Sequence, residues 1–257
     1  MKKLHFALGL AVAIAFVAPD WALALPDPNL KGGDGYGRTA PATDVNNASH
    51  GPNTTQLTER WPAGSISLGY GMGGYAEWSI DAPNNSNYIV DALTITGGRG
   101  GDGTSIYGNG GDGGSAALMP FNGGSRNVYV TGAVNITAGN GGNGDYLNAG
   151  GYGGSAYLTL GSNGTLQAQS LTIKGGDDGA GNYSYVAGGG RAWLSLGNLM
   201  VNQLRVESGS ESGNGGGARL VAENVSVAGS GTFIAQDGAL NILVGKLNVA
   251  EKASILL

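Results

Sequence analysis

The sequence predicts an all-β chain, wound as a parallel β-helix with Gly-rich loop insertions projecting from one edge. Three observations carry this. One spaced apolar template recurs six times, the strand residues alternate with period two, and 51 of the 257 residues are Gly, gathered mostly in blocks between template copies.

The template is clearest at Leu166, Ala168, Leu171 and Ile173, at offsets −5, −3, 0 and +2 from Leu171. Tyr88, Val90, Leu93 and Ile95 fill it first, then Tyr129, Thr131, Val134 and Ile136. After Leu171 follow Leu199, Val201, Leu204 and Val206; Leu220, Ala222, Val225 and Val227; and Ile242, Val244, Leu247 and Val249. Six copies at a falling interval are the signature of stacked repeats, each too small to bury a core alone. The odd step from −3 to 0 puts a corner between two short strands.

In chain order, residues 1–24 read as a secretory signal peptide. Lys2 and Lys3 form a basic start, Leu4 to Ala18 an apolar core, and Ala22-Leu23-Ala24 a cleavage site. Leu4 to Ala18 is too short to span a bilayer comfortably. Residues 25–64 hold Pro26, Pro28, Pro41, Pro52 and Pro62 and read as a linker or irregular N-terminal cap. Residues 65–257 are the expected parallel β-helix, with Ser65 to Leu68 as its first strand.

Each repeat opens on a shared phrase: GGYAEW at 73, GGSAAL at 113, GGSAYL at 153, GGRAWL at 189, GGARL at 216. The Gly-rich blocks at 97–114, 138–154, 175–190, 208–217 and 228–231 shorten along the chain. The core pattern is preserved, so the insertions should leave the fold at one edge. Gly weakens any helix by ~1 kcal/mol per residue, and no helical period appears after the leader. Position −4 (Ile89, Val130, Gln167, Met200, Val221, Leu243) is expected to face outward. It reads either as a stripe covered by the Gly-rich arms or the N-terminal cap, or as a surface for self-association or partner docking.

Composition bounds the function. Without residues 1–24 the chain has 11 basic and 17 acidic side chains, a net −6, which argues against nucleic acid as a partner. There is no Cys, so no disulfide, thiol nucleophile or lipobox anchor. His50 is the one His outside the leader. Asp91 and Glu223 share position −2 but stand four repeats apart, too far for a paired-carboxylate mechanism. A phosphate-cradling loop needs a following helix, and none follows these blocks. The chain is therefore read as no enzyme, with no cofactor and no catalytic or metal residue assigned. GGRGGDGTS at 97–105 partly fits a calcium-binding repeat, with Asp102 and Asp112 as the ligands it would use. The preferred explanation of both is that Asp favours turns, since the matches are isolated and out of register.

The spacing L-x-A-x-x-L-x-I, within GSNGTLQAQSLTIKGG, resembles the β-helical passengers of bacterial autotransporters and filamentous-haemagglutinin-type exoproteins, over residues 73–257. The resemblance implies a secreted or cell-surface bacterial protein, often adhesive. The translocator barrel and the secretion-domain motifs of those families are not visible in this sequence. The Gly-rich loops are also similar to the polyglycine sandwiches of phage receptor-binding adhesins.

The expectation is an exported protein of the cell surface or extracellular space, or of the periplasm, with an adhesin-like or matrix role. Its partner would be a cell-surface glycan or protein. Tyr107, Tyr146, Tyr152, Tyr183 and Tyr185 in the Gly-rich loops are the candidate binding residues, because a Tyr ring offers an apolar face and a polar tip. They could equally pin the loops to one another. The alternatives are a polysaccharide-degrading β-helix enzyme and a self-assembling structural fibre.

Overall fold

The computed structural model describes residues 23–24, 29–31, 54–56, 72–80, 86–103, 109–120, 123–144, 148–181, 188–210, 216–236 and 238–256. Among them the chain is all-β, with no helix. The strands are β1 (Leu23–Ala24), β2 (Asn29–Lys31), β3 (Thr54–Gln56), β4 (Ala76–Ile80), β5 (Ser86–Val90), β6 (Leu93–Thr96), β7 (Ala116–Pro120), β8 (Arg126–Val130), β9 (Ala133–Thr137), β10 (Ala156–Lys174), β11 (Ala192–Glu207), β12 (Ala218–Val227), β13 (Ser230–Ile234), β14 (Leu240–Val249) and β15 (Lys252–Leu256). They form one 15-stranded sheet, paired in parallel throughout. Ser65 to Leu68 lies outside the described residues. β1 is made of the last two residues of the expected leader and pairs with Tyr88 and Ile89.

The shared opening phrases set the register. Ala76, Ala116, Ala156, Ala192, Ala218 and Leu240 stand side by side on successive strands. A second buried series runs Tyr88, Val128, Leu166, Leu199, Val225 and Leu247. A third runs Ile95, Ile136, Ile173, Val206, Phe233 and Ile255. The first five members of all three series are buried, in one continuous core. Burying each large apolar side chain stabilises by ~1.5–3 kcal/mol. Each repeat contributes few of them, so it depends on its neighbours.

Two parts of the expected register are corrected. In the second copy Val128 and Val130 are buried, not Tyr129 and Thr131. Val128 to Val134 is one residue longer than Leu166 to Leu171. The extra residue is absorbed where the Thr131 and Gly132 N–H groups donate to the carbonyls of Val90 and Asp91. In the last two copies Val225 and Leu247 align with Leu199, not with Leu204. The cause is that two corners of a repeat have the same spacing. Leu194, Leu196, Leu199 and Val201 fit the template as well as Leu199, Val201, Leu204 and Val206 do. The template therefore slips by one strand without breaking its pattern.

The outward position −4 breaks up accordingly. Val130 belongs to the core, while Val221 stands between Ser195 and Leu243, and Met200 stands beside Ser226. The six residues do not form one stripe. Residues 228–231 are not a Gly-rich arm either, but the corner leading into β13.

Candidate functional site

The Gly-rich segments are built on a period of three. In 138–144, the Ala138, Gly141 and Gly144 N–H groups donate to the carbonyls of Lys174, Asp177 and Ala180 in the next repeat. Gly139 and Gly142 donate instead to Gly114 and Gly111, in a segment running the opposite way. Asn140 and Asn143 hold the third position, exposed. Three residues per turn is the geometry of a polyproline-II-type helix, whose backbone has no internal hydrogen bonds and must find partners outside itself. Here other Gly segments supply them.

The result is a lattice of two facing layers. Outgoing segments 97–103, 138–144 and 175–180 lie beside one another, and so do returning segments 110–116 and 149–156. Between the layers a chain of bonds zigzags through Gly74, Gly98, Gly114, Gly139, Gly154, Gly176, Gly190 and Gly209, each N–H donating to the carbonyl before it at 2.7–2.9 Å. A second runs through Gly101, Gly111, Gly142, Gly151 and Gly179 at 2.8–2.9 Å. These glycines are buried, and a Cβ at Gly139, Gly142 or Gly176 would overlap a backbone carbonyl of the neighbouring segment in the same layer. The pattern G-G-x was present in GGRGGDG and GNGGDGGS but, lacking collagen's Gly-X-Y order, gave no triplet signal.

Every third residue points out of the lattice, and its side chain stitches one repeat to the next. Asn140 Oδ1 accepts from the Asp177 N–H at 3.0 Å, and Asp177 Oδ1 accepts from the Ser210 N–H at 2.9 Å. Asn143 Oδ1 accepts from Ala180 at 3.0 Å. Asp102 and Asp112 belong to this scheme. Asp102 Oδ1 accepts from the Asn143 N–H at 2.7 Å, and its carboxylate is paired with Arg99. The Arg99 hydrogen bond, and then the Asn143 bond, hold its carboxyl below the usual carboxylate range. Asp112 Oδ1 accepts from the Tyr152 N–H at 2.9 Å. Both carboxylates thus have a backbone role. No group of three or more metal-ligating side chains occurs among the described residues.

Of the five candidate tyrosines, Tyr152 is described; Tyr107, Tyr146, Tyr183 and Tyr185 lie outside the described residues. Tyr152 is 56% exposed, on the outer side of the returning layer. Its neighbours along the stack are Asp112 and Gly188, so the described residues place no tyrosine beside it at that position. Asp91 and Glu223 occupy different corners, before β6 and within β12, and both are exposed. Asp91 Oδ1 accepts from the Thr131 hydroxyl at 3.1 Å.

Two outer faces of the sheet carry features the template did not reveal. On one, Asn127 Nδ2 donates to Asn87 Oδ1 at 2.8 Å, Asn127 Oδ1 accepts from the Thr165 N–H at 3.1 Å, and Asn224 Nδ2 donates to Asn198 Oδ1 at 2.9 Å. This polar ladder borders a groove of about 420 Å³ with Tyr129 and Met200 on its wall. On the other, Tyr157, Trp193 and Arg219 stand side by side on β10, β11 and β12. The Tyr157 and Trp193 ring centroids are 6.5 Å apart, and the Arg219 guanidinium carbon lies 4.5 Å from the Trp193 ring centroid. The signal for this row was in the phrases themselves, GGSAYL, GGRAWL and GGARL, at the residue after the aligned Ala.

Comparison with known proteins gives no match to a family model, a curated protein or a solved structure.

Proposed function

We propose that the chain is an exported, non-enzymatic binding protein of a bacterial surface or matrix, wound as a parallel β-helix whose Gly-rich arms project from one edge and present the ligand-contacting side chains. The six-membered registers, buried in their first five members, support the winding. The leader-like residues 1–24 support export.

The single observation that carries the binding role is the Gly lattice. Loops joining strands need few residues, yet the first three arms each insert a long excursion whose described residues between strands add only Ala138 to the apolar core. Their backbones are cross-bonded at 2.7–2.9 Å between layers. A cross-bonded backbone of this kind lowers the ordering cost of binding by side chains that the arms carry. The tyrosines of the Gly-rich segments are the contacts this reading assigns to a glycan or protein surface.

The test is binding of the exported protein to bacterial or host cells and to a glycan array. Wild type is compared with Tyr152→Ala and with a variant in which Tyr107, Tyr146, Tyr183 and Tyr185 are all Ala. Loss of binding with an unchanged melting curve is the expected result. Binding that survives both sets of changes removes the arms from the recognition surface.

A further inference from the structure

Arg191 and Arg219 border the same groove, of about 270 Å³, together with Trp193, Asn241 and the backbone of Gly217 and Ala239. Arg191 is exposed, and neither guanidinium has a carboxylate partner among the described residues. Arg219 Nε is buried without an acceptor. The Arg219 guanidinium lies over the Trp193 ring, an arrangement that occupies the face of an arginine and leaves its terminal N–H donors for a further partner. In a chain of net charge −5, two neighbouring unpaired arginines form a local cationic site on an acidic molecule.

We infer that this groove binds the carboxylate of an acidic saccharide. The planar fork of an arginine matches a carboxylate in bidentate fashion. The Asn241 amide adds donors and an acceptor suited to ring hydroxyls. An acidic peptide fits less well, because peptides usually bind sheets by adding a strand. Here the groove lies over β11 and β12, whose backbones are already paired on both sides. The inference rests on the reading of the chain as an extracellular binding protein, but it places recognition on the sheet face rather than at the arm tips.

The test is calorimetric titration of the purified full chain with trigalacturonate, maltotriose and hexaglutamate at low and moderate salt. Trigalacturonate should bind, more weakly as salt rises, and maltotriose should not. Arg191→Gln and Arg219→Gln should each weaken binding at least tenfold. Arg219→Lys should also weaken it, since the charge stays and the fork is lost. Glu223→Gln should leave it unchanged. If Arg219→Gln fails to fold, Arg191→Gln, at an exposed position, decides the matter. Absence of trigalacturonate binding, equal binding of hexaglutamate, or binding unaffected by Arg191→Gln overturns the inference. Tyr152 does not line the groove, and none of the arm tyrosines is part of the proposed saccharide site. Loss of cell binding in the tyrosine variants with trigalacturonate binding intact therefore refutes neither proposal, and each can fail alone.

Discussion

The Gly142 N–H donates to the Gly111 carbonyl at 2.8 Å, joining an outgoing segment of one repeat to the returning segment of the repeat before it. A Cβ on Gly142 would overlap the carbonyl oxygen of Gly101. That carbonyl is also the acceptor for Gly111. One methyl group would therefore push apart two neighbouring outgoing segments and disturb the bond that ties Gly101 to the returning layer. Gly142→Ala should cost about 2–3 kcal/mol or more, by overpacking a site bounded by backbone. Gly123→Ala is the control: nothing lies within 4 Å of its Cβ, but φ is 72°. There the cost is conformational, about 1–2 kcal/mol. Denaturant unfolding of the two variants checks the difference.

The register at β8 gives a second test. Val128 is buried beside Leu166, while Tyr129 stands half-buried on the wall of the Asn-ladder groove. Val128→Ala should destabilise by about 2 kcal/mol. Ile173→Ala, between Ile136 and Val206, should cost about 2–5 kcal/mol. If the template phase of the second copy were right instead, Thr131→Ser would be felt in the core and Val128→Ala would be mild. Thermal or denaturant unfolding of the three variants separates these outcomes.

The repeat period, the all-β class and the alternation of buried residues were legible in the sequence because identical columns of Leu, Ile and Val advertise themselves. The phase was less legible. Leu194 to Val201 and Leu199 to Val206 carry the same spacing at two corners, so apolar pattern alone cannot say which corner a copy belongs to. The opening phrases resolve it, since Ala156, Ala192 and Ala218 pair directly. The Gly lattice was the least visible. Its specificity lies in backbone bonds between Gly residues, and these leave no side-chain signature except a polar residue at every third place. The Tyr157, Trp193, Arg219 row went unread because it stands on the outer face, where no apolar pattern marks it.

The stitching side chains give a third prediction. Asn143 Oδ1 is the acceptor for the Ala180 N–H. Asn143→Ala should leave that N–H without its side-chain acceptor and speed its exchange with deuterium. Asn143→Asp keeps an acceptor and should preserve protection. Global stability should fall by about 1 kcal/mol in the first variant only.

The pH dependence has two opposing parts. Burial raises the Glu77 carboxyl above the usual range, with the Ser79 hydrogen bond acting against it. Its folded pKa exceeds its unfolded one, so stability rises as pH falls through the folded value, and ionised Glu77 is a cost at neutral pH. Glu77→Gln should therefore raise the melting midpoint at pH 7. Glu77 is only half-buried, so the gain is less than about 1 kcal/mol after screening, on the order of 1–3 °C. The gain should vanish once pH falls well below the folded value. Asp102 has the reverse sign. Its contribution is present above its unfolded pKa and disappears as pH falls through the depressed folded value. Melting curves of wild type, Glu77→Gln and Asp102→Asn across this acid range check both signs.

The most direct measurement is backbone hydrogen exchange in the Gly-rich segments, residue by residue. Cross-bonded layers should protect Gly139, Gly142, Gly154, Gly176 and Gly179 to a degree comparable with strand residues such as Leu171 and Val206. Exchange of those glycines at the rate of an unstructured chain, while the strands remain protected, would contradict it.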